Sequence, residues 1–497
     1  MRRPAHSRGA GDGLRRWLAA TAALIIVAVA VVLTLAGTLN DRGTRDPGSI
    51  QARATADTHR DGRGAGKRTG HGAAADPAST GSATASAAGG EPATAPTAPS
   101  VVMPAALRPS TPAEDTLETA LGKWLQVAGP NSGALVFDLS DATELDGAHP
   151  GYGRPPASVE KLWTTAAVLR RLGPDARLDT TVLGTGHLSH GVWHGNLYLH
   201  GGGDPTFGDS GFNQVWNQGY GPTPNQLIAQ LRRRGIRKVT GRVFGDESLF
   251  DHRRGGLITN YKADVDDLGG QLSALTYDHG TVMPHYNPAT FAAHEFVLTM
   301  RAMGVQAVAD RHDGTAPQDA QLLATVASPP MSVMLRLMNV PSDDLFAELF
   351  AKQLGLRYGH GGTITSGAAV ITQTIASTYG LRPTILDGSG LGRQDRSSPK
   401  QVVQLLTELW HTRLGDQFAA TLPTAGVNGT VQSIGAKTAA AGRCIAKTGS
   451  LDDVTNLAGY CSARGHQQLA FAFFIDGPEN STGFWLESKM LAAIARY

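Results

Sequence analysis

Residues 444–476 read CIAKTGSLDDVTNLAGYCSARGHQQLAFAFFID, and they give the clearest indication of the fold. The stretch contains short apolar runs separated by turn residues, a pattern that predicts consecutive antiparallel strands. These runs are 444–447, 456–461 and 469–475. A helical pattern follows at 483–496, and GALVFDL at 133–139 is typical of a further strand. The sequence therefore predicts an α/β fold with an antiparallel sheet between helices.

Three short motifs with catalytic residue types occur in one order along the chain. They are Ser158-Val159-Glu160-Lys161, Ser342-Asp343-Asp344 and Lys447-Thr448-Gly449. Each motif alone is weak, because a Ser three residues before a Lys is common by chance. Their occurrence together and in this order is a much stronger signal, because the three motifs then resemble the active site of a penicillin-recognising serine acyl-transferase.

Ser158 is the candidate nucleophile of this site. Pro155-Pro156 disfavours helix just before it, so a helix at 158–172 should start at Ser158, with Lys161 one turn later on the same face. Free amide groups and the positive end of the helix dipole favour negative charge that develops there. A lysine can act as the base when burial or a nearby cation favours its neutral amine, and the neighbours of Lys161 are apolar.

Each motif also has a structural explanation. A second S-x-x-K sequence, Ser397-Ser398-Pro399-Lys400, predicts only a helix cap. Ser342-Asp343-Asp344 precedes LFAELFAKQLG, so Ser342 or Asp343 could simply cap that helix. Lys447-Thr448-Gly449 could simply end a hairpin strand. Position in the chain favours a functional role for the last two motifs.

Other candidate sites are weaker. Gly208-Asp209-Ser210-Gly211 resembles a trypsin-type nucleophile motif, but no His and Asp partners appear in a matching arrangement, and a Gly-rich loop explains it. His187, His190 and His194 lie near turns and are predicted to be surface residues. We expect neither a metal nor a cofactor.

Composition divides the chain into segments. Arg residues precede an uncharged run that is long enough, at about 30 Å as a helix, to cross a bilayer. The positive residues favour a cytoplasmic N-terminus and an extracytoplasmic head, with a cleaved signal peptide as the alternative. The predicted segments are a basic tail at 1–16, a transmembrane signal-anchor at 17–37, a disordered Ala/Gly/Ser/Thr/Pro linker at 38–112, a main domain at 113–178 and 325–497, and an inserted mostly-β domain at 179–324.

The inserted segment begins with strand and Gly signals, and its later part is predicted to be helical at 289–304 and 319–327.

The net charge of +2 is unevenly distributed, because the N-terminal region is Arg-rich and the head is nearly neutral. This distribution does not indicate a nucleic-acid partner. Cys444 and Cys461 flank a turn symmetrically, so a disulfide is favoured over two buried thiols. Their spacing fits no metal motif.

Residues 133–480 resemble the D-alanyl-D-alanine carboxypeptidase and endopeptidase family of class C low-molecular-mass penicillin-binding proteins, peptidase family S13. Besides the three motifs, the resemblance rests on LYLHGGGDPTF, VFGDESLFD, QLSALTYD, ILDGSGLGRQD and LPTAGVNGT. It implies the penicillin-binding transpeptidase/β-lactamase-like fold with an inserted domain. It also implies an acyl-enzyme mechanism on peptidoglycan stem peptides, with β-lactams as inhibitors and a location at the bacterial cell membrane.

The resemblance also implies residue roles. Ser158 attacks the D-Ala carbonyl, Lys161 takes its proton, and Ser342 with Lys447 relays a proton to the leaving amine. The amides of Ser158 and Ser450 form the oxyanion hole. The substrate-binding residues are Asp344, Thr448, Gly449 and Ser450, of which Thr448 donates to the substrate carboxylate and Gly449 lets the substrate backbone approach.

The chain departs from the family pattern at three positions. The family's middle motif ends in Asn, whereas this chain has Asp344, and Gly392 and Asp395 replace an expected Ser and Asn. A carboxylate cannot donate hydrogen bonds, and beside Lys161 it favours the protonated lysine. Two alternatives to an active peptidase are therefore a weakened cell-wall-binding protein that keeps the pocket, and a β-lactamase or esterase on the same fold.

Overall fold

The structure, a computed structural model, describes residues 111–254, 268–280, 286–308, 312–410 and 412–497. The predicted tail at 1–16, the transmembrane segment at 17–37 and nearly all of the linker at 38–112 lie outside the described residues. Within the described ranges, no helix is both long and apolar enough to cross a membrane. Pro112, which the sequence assigned to the linker, is the first residue of a helix that Thr111 caps.

The strands of the described ranges are, in chain order, β1 (Gly133–Asp138), β2 (Thr143–Ala148), β3 (Asp179–Ser189), β4 (Val192–His200), β5 (Lys238–Val239), β6 (Val243–Asp246), β7 (His312–Asp313), β8 (Gln321–Ala327), β9 (Cys444–Leu451), β10 (Val454–Ser462) and β11 (Gln468–Asp476). The helices are α1 (Pro112–Ala128), α2 (Lys161–Arg171), α3 (Ser210–Trp216), α4 (Pro224–Arg233), α5 (Pro288–Ala302), α6 (Met331–Asn339), α7 (Asp344–Tyr358), α8 (Ile364–Tyr379), α9 (Pro399–Trp410), α10 (Gly415–Ala419) and α11 (Asn480–Ile494). Short 3₁₀ turns occur at Ala157–Glu160 and Gly429–Val431.

The main sheet has the strand order β2-β1-β11-β10-β9, and all neighbours within it are antiparallel. Successive side chains of a strand point to opposite faces, so a strand buried on both faces reads as a continuous apolar run. Strand β11 shows this directly: Phe471 and Phe473 belong to one core, whereas Ala472 and Phe474 belong to the other. The predicted antiparallel sheet between helices is confirmed.

Helices cover both faces of this sheet. Leu121 of α1 and Met490 of α11 pack in the core on one face. Trp163 of α2, Phe346 of α7 and Val403 of α9 pack in the core on the other face. Strand β9 is the edge strand, and its face at Gly449 lies against the 3₁₀ turn that contains Ser158. The last strand of the sheet therefore meets the candidate nucleophile.

The inserted module has a sheet and a core of its own. In the described residues its strand order is β7-β6-β4-β3-β8, with β5 paired to β4. Helices α4 and α5 supply Leu227, Ile228 and Phe296 to its core. The helix predicted at 289–304 is present as α5.

The prediction of a helix at 319–327 is wrong, because most of this segment forms strand β8. Residues 321–327 pair antiparallel with β3, from Asp179 opposite Ala327 onward. Long-range pairing to β3, which local sequence does not reveal, overrides the helical pattern. The sheet of the module thus extends to Ala327, beyond the predicted boundary at 324. The chain leaves and re-enters the main domain at one place, because Leu178 N donates to Ser328 Oγ at 3.0 Å.

Candidate active site

The candidate nucleophile lies on a short turn before helix α2. Ser158 belongs to the 3₁₀ turn Ala157–Glu160, and Lys161 is the first residue of α2. The α-helix thus begins three residues later than predicted, although both residues still lie one turn apart. The Nδ2 atom of Asn456 donates to the carbonyls of Pro155 and Pro156 at 2.9 and 2.8 Å, and so fixes the chain just before the turn. Sequence reasoning missed Asn456.

Lys161 is fully buried and contacts the candidate nucleophile directly. Its Nζ donates to Ser158 Oγ at 2.8 Å and to the carbonyl of Ser389 at 2.8 Å. A third hydrogen bond runs to Oδ1 of Asp344. The ammonium thus has three acceptors, which accounts for all three of its N–H groups.

The middle motif lies in a tight turn between α6 and α7. Ser342 has a φ of 67°, an unusual conformation for a residue other than Gly. Asp343 caps α7 by accepting a hydrogen bond from the amide of Phe346 at 3.0 Å. Asp344 is the first residue of α7. The capping explanation therefore applies to Asp343, while Ser342 and Asp344 are left to face the other motifs.

The third motif lies on edge strand β9. The Nζ atom of Lys447 donates to Ser342 Oγ at 2.7 Å, and Lys447 is fully buried. Burial, together with the charge of Lys161, holds the pKa of Lys447 well below its ordinary value. The Thr448 hydroxyl donates to the hydroxyl of Thr430 at 2.7 Å. Thr430 is a second residue that the sequence analysis did not find.

Gly449 has a packing role that the sequence analysis did not predict. A Cβ atom at this position would lie 2.5 Å from the carbonyl oxygen of Pro156 and 3.1 Å from the amide nitrogen of Ser158. Only Gly permits β9 to lie so close to the nucleophile turn. The predicted approach of the substrate backbone at Gly449 stays a prediction.

The amide of Ser450 points away from the sheet. The amide of Ala446 on β9 donates outward to Pro423 O at 3.0 Å, and amides of an edge strand alternate in direction. The Thr448 and Ser450 amides therefore face the outer edge of β9, next to the strand face that contacts the Ser158 turn. Ser450 itself is exposed.

A group of buried carboxyl side chains lies behind Lys161, and sequence reasoning did not find it as a group. Its members, hereafter the carboxyl cluster, are Glu160, Glu348, Asp387 and Asp395. Burial is the largest effect on each and raises the pKa of Glu348 to about 8 and that of Asp395 to about 9. The charge of Asp387 adds to both increases. At neutral pH the cluster therefore retains protons.

The cluster organises the loop that contacts Lys161. Glu348 accepts from the amide of Ser389 at 2.9 Å, and Asp387 accepts from the amide of Gly390 at 2.6 Å. These bonds orient the Ser389 carbonyl toward Lys161. At Gly392 a Cβ would lie 2.9 Å from Oδ2 of Asp395, an oxygen that has no hydrogen-bond partner among the described residues. Gly392 and Asp395, the two positions of this loop that depart from the family pattern, therefore lie side by side.

The charge balance at Asp344 follows from its surroundings. Burial raises the pKa of Asp344, whereas the charges of Lys161 and Lys447 act in the opposite direction. The side chain remains 14% exposed, so it faces the crevice rather than the core. A carboxyl group here can accept from Lys161 as a carboxylate or donate as an acid.

The weaker candidates from the sequence have structural roles. Ser398 accepts from the amide of Gln401 at 3.2 Å and caps α9, which confirms the second S-x-x-K sequence as a helix cap. Asp209 caps α3. The rings of His187 and His194 stack at 5.3 Å on an exposed hairpin. On β9 and β10, Cys444 and Cys461 are paired and joined by a disulfide.

Comparison with known proteins gives a consistent result. The model of the D-Ala-D-Ala carboxypeptidase 3 (S13) family matches residues 113–289 and 267–496. A carboxypeptidase DacB of Mycolicibacterium smegmatis is 30% identical over 421 residues, which cover 80% of this chain and 87% of that protein. A D-alanyl-D-alanine carboxypeptidase of Actinomadura sp. is 25% identical over 457 residues, covering 74% of this chain and 82% of the relative.

Among solved structures, penicillin binding protein 4 from Haemophilus influenzae is similar in fold. The match has a TM-score of 0.64 at 21% identity and covers 76% of this chain and 99% of that chain.

Proposed function

Because this chain belongs to the D-Ala-D-Ala carboxypeptidase 3 (S13) family, we propose that it is a serine D-alanyl-D-alanine carboxypeptidase/endopeptidase of peptidoglycan stem peptides. The observation that carries this proposal is the meeting of four side chains in one crevice. Lys161 bonds Ser158 at 2.8 Å, and Lys447 bonds Ser342 at 2.7 Å. Asp344 connects the two pairs, since it accepts from Lys161 and lies within the field of Lys447.

Acylation begins at Ser158. The reacting state requires that the Lys161 ammonium has first lost a proton. Ser158 Oγ then attacks the carbonyl carbon of the scissile D-Ala bond while its own proton passes to the neutral amine of Lys161. The C–N bond then breaks, and the proton that Lys161 accepted reaches the leaving amine through Ser342, whose hydroxyl Lys447 contacts, so that Lys161 is a neutral amine again. Burial favours the neutral form of Lys447, so this group is suited to exchange a proton. Water later attacks the ester and restores Ser158.

The oxyanion of the tetrahedral intermediate is held by the amides of Ser158 and Ser450. The support for this role is that Gly449 brings β9 against the Ser158 turn and that the Ser450 amide faces the outer edge of this strand. Donors fixed in this way require no reorganisation when charge develops, and one such donor contributes about 3–4 kcal/mol.

The outer edge of β9 is the site for the extended peptide. Unpaired backbone groups of an edge strand can pair with an added strand. Lys447, Thr448 and Thr430 place an amine and two hydroxyls beside this edge. They form the proposed site of the substrate's terminal carboxylate, and a β-lactam carboxylate occupies the same place.

A weakened penicillin-binding protein is the second candidate, and the Lys161–Asp344 ion pair is the observation that favours it. An ammonium held by a carboxylate cannot accept the Ser158 proton until it loses one of its own. The two candidates differ in rate rather than in site, because both keep the nucleophile and the pocket.

The test is covalent labelling by a fluorescent penicillin together with release of D-Ala from a stem pentapeptide. The peptidase proposal expects labelling of the wild type, an intact mass increased by one penicillin, and no labelling of Ser158→Ala. D-Ala release distinguishes an active peptidase from a weakened one. A folded wild-type protein that never forms the adduct contradicts both candidates.

The membrane attachment is a separate proposal from the sequence of residues 1–37. The Arg residues before the uncharged segment 17–37 support a single-pass anchor with the catalytic head outside the cytoplasm. Fractionation of cells that express the full chain, followed by alkaline extraction, tests this. Recovery of the full-length protein in the alkaline supernatant would contradict it.

A further inference from the structure

A residue of the inserted module contacts the middle catalytic motif. The Nε2 atom of His279 lies 2.7 Å from Oδ2 of Asp343, although 64 positions separate the two residues. Both side chains are 19% exposed, so the pair lies at the border of the crevice. The mechanism proposed above does not use this contact.

The pair fixes the carboxylate of Asp343 at both oxygens. Oδ1 accepts from the amide of Phe346 at 3.0 Å and caps α7, and Oδ2 bonds His279. Asp343 stands between Ser342 and Asp344, so its orientation determines how both neighbours are presented. A carboxylate held at two points cannot rotate without loss of one bond.

The backbone of Ser342 requires such support. Its φ of 67° lies in the left-handed region, which costs a residue other than Gly about 1–3 kcal/mol and persists only when the surroundings impose it. The hydroxyl of Ser342 contacts Lys447 in this conformation. Loss of the Asp343 contact would therefore release the turn that places Ser342.

His279 is itself held on several sides. Its Nδ1 atom lies 3.3 Å from the carbonyl of Gly269, and its ring stacks on that of Phe346 at 5.9 Å. Both ring nitrogens thus face acceptors, a carbonyl and a carboxylate. A neutral imidazole has one N–H group, so only the imidazolium can donate to both acceptors.

We infer that His279, as an imidazolium, is a positioning residue for acylation, and this inference rests on the proposed function. It holds Asp343 and thereby the Ser342 turn, and so makes the inserted module a part of the catalytic arrangement. Neutralisation of His279 removes one of its two donors and loosens the turn. The positioning effect is therefore present at low pH and is lost as pH rises.

The charges near His279 favour its protonated form, in agreement with this pH dependence. Burial lowers the pKa of His279, but the charge of Asp343 and the two hydrogen bonds outweigh burial and raise it above its ordinary value. Among the described residues, Asp344 lies close to Asp343 and to Lys161 and Lys447 on the catalytic side. On the module side, Asp278 precedes His279 and interacts with Asp209 and Glu295. Burial raises the pKa of Asp278 to about 6. The variants must therefore distinguish the ionisation of Asp278 from that of His279.

The experiment compares the second-order rate constant for acylation by a fluorescent penicillin between pH 5.5 and 9 in the full chain. The variants are His279→Gln, which cannot become charged, and His279→Lys, which keeps a positive charge. We expect His279→Gln to be about tenfold slower than wild type at pH 6 and equal to it above the His279 pKa. His279→Lys should retain the rate at pH 6 and lose less of it as pH rises.

Two further variants complete the design. Asp343→Asn keeps an oxygen for the Phe346 amide but removes the charge. Its labelling rate should depend on pH in the same way as that of His279→Gln. The double variant should be no slower than either single variant, because both changes remove the same contact. His190→Gln, in an exposed turn of the module, is the matched control and should not change the rate. Thermal melts at each pH identify any variant that fails to fold.

The outcomes separate the two proposals. If the wild type is labelled and His279→Gln has the same rate at every pH, the positioning role is wrong while the proposed function stands. If a His279→Gln defect is constant over pH and His279→Lys shares it, His279 acts only structurally, and the inference is also overturned. If folded wild type is never labelled, the proposed function fails and the inference fails with it.

Discussion

Lys161 and Asp344 form an ion pair across 183 positions of sequence, at the point where the first and middle motifs meet. The family resemblance leads us to expect an Asn amide at this position. An amide is neutral, whereas a carboxylate stabilises the ammonium form of Lys161. The pair therefore opposes the first proton transfer of the proposed mechanism.

We predict that Asp344→Asn accelerates acylation at neutral pH by about tenfold, because the amide removes the carboxylate that pairs with the Lys161 ammonium and about 1.4 kcal/mol of lost ion-pair stabilisation corresponds to tenfold in rate. The measurement is the rate of fluorescent penicillin labelling. Asp141→Asn, which removes an exposed carboxylate elsewhere, is the control and should leave the rate unchanged. An Asp344→Asn rate equal to wild type would show that the pair does not limit acylation.

Gly449→Ala should damage both stability and labelling. The new Cβ would lie 2.5 Å from the Pro156 carbonyl, and backbone cannot move aside as a flexible side chain can. Overpacking of this kind costs about 1–3 kcal/mol. We expect a lower melting temperature and at least tenfold slower labelling, since the displaced turn contains Ser158.

Gly442→Ala, a position with open space, serves as the comparison, although its positive φ predicts a small loss of stability. Equal labelling in the two variants would contradict the packing role.

The sequence was sufficient for the features that depend on local pattern. Alternating and continuous apolar runs predicted the main sheet, and the structure brings Ser158, Lys161, Ser342 and Lys447 together. The sequence pattern failed where a segment pairs with a strand that is distant along the chain. The 319–327 segment carries a helical pattern, yet pairing with β3 makes it strand β8.

The missing site residues have the same explanation. Asn456 and Thr430 act through contacts that only the folded sheet creates. The carboxyl cluster gathers side chains from α7, the 3₁₀ turn and the 387–395 loop. Acidic residues are usually exposed, so nothing in the local sequence indicated that these would be buried together.

The carboxyl cluster predicts loss of stability at alkaline pH. Burial raises the folded-state pKa of Asp395 to about 9 from an ordinary value of 3.8, so the folded protein binds a proton that the unfolded chain releases. Its contribution to stability is fully present below pH 3.8 and is lost as pH rises through about 9. Asp395→Asn keeps an oxygen for the Leu386 amide, which bonds at 2.7 Å, and cannot ionise.

The unfolding free energy of Asp395→Asn relative to wild type should therefore be higher at pH 9 than at pH 6, by up to about 4 kcal/mol for three pH units at 1.36 kcal/mol each, and its gain in melting temperature should be larger at pH 9. The measurement is thermal unfolding at both pH values. Asp416→Asn, which changes an exposed carboxyl, should give no pH-dependent difference. An equal difference at the two pH values for Asp395→Asn would show that ionisation of Asp395 is not responsible.

Asn456 lies on β10, and the disulfide joins β10 to β9, so variants of the two can separate local positioning from global stability. Asn456→Leu leaves the Pro155 and Pro156 carbonyls without their donor, at a cost of about 1–3 kcal/mol. Replacing both Cys444 and Cys461 by Ser opens a loop with a sequence separation of 17, which costs about 3 kcal/mol. Both variants should melt at lower temperature.

Only Asn456→Leu should also label about tenfold more slowly at a temperature where both remain folded, because only Asn456 holds the Ser158 turn. If the Cys variant loses labelling to the same extent, the defect reflects general destabilisation and Asn456 has no specific positioning role.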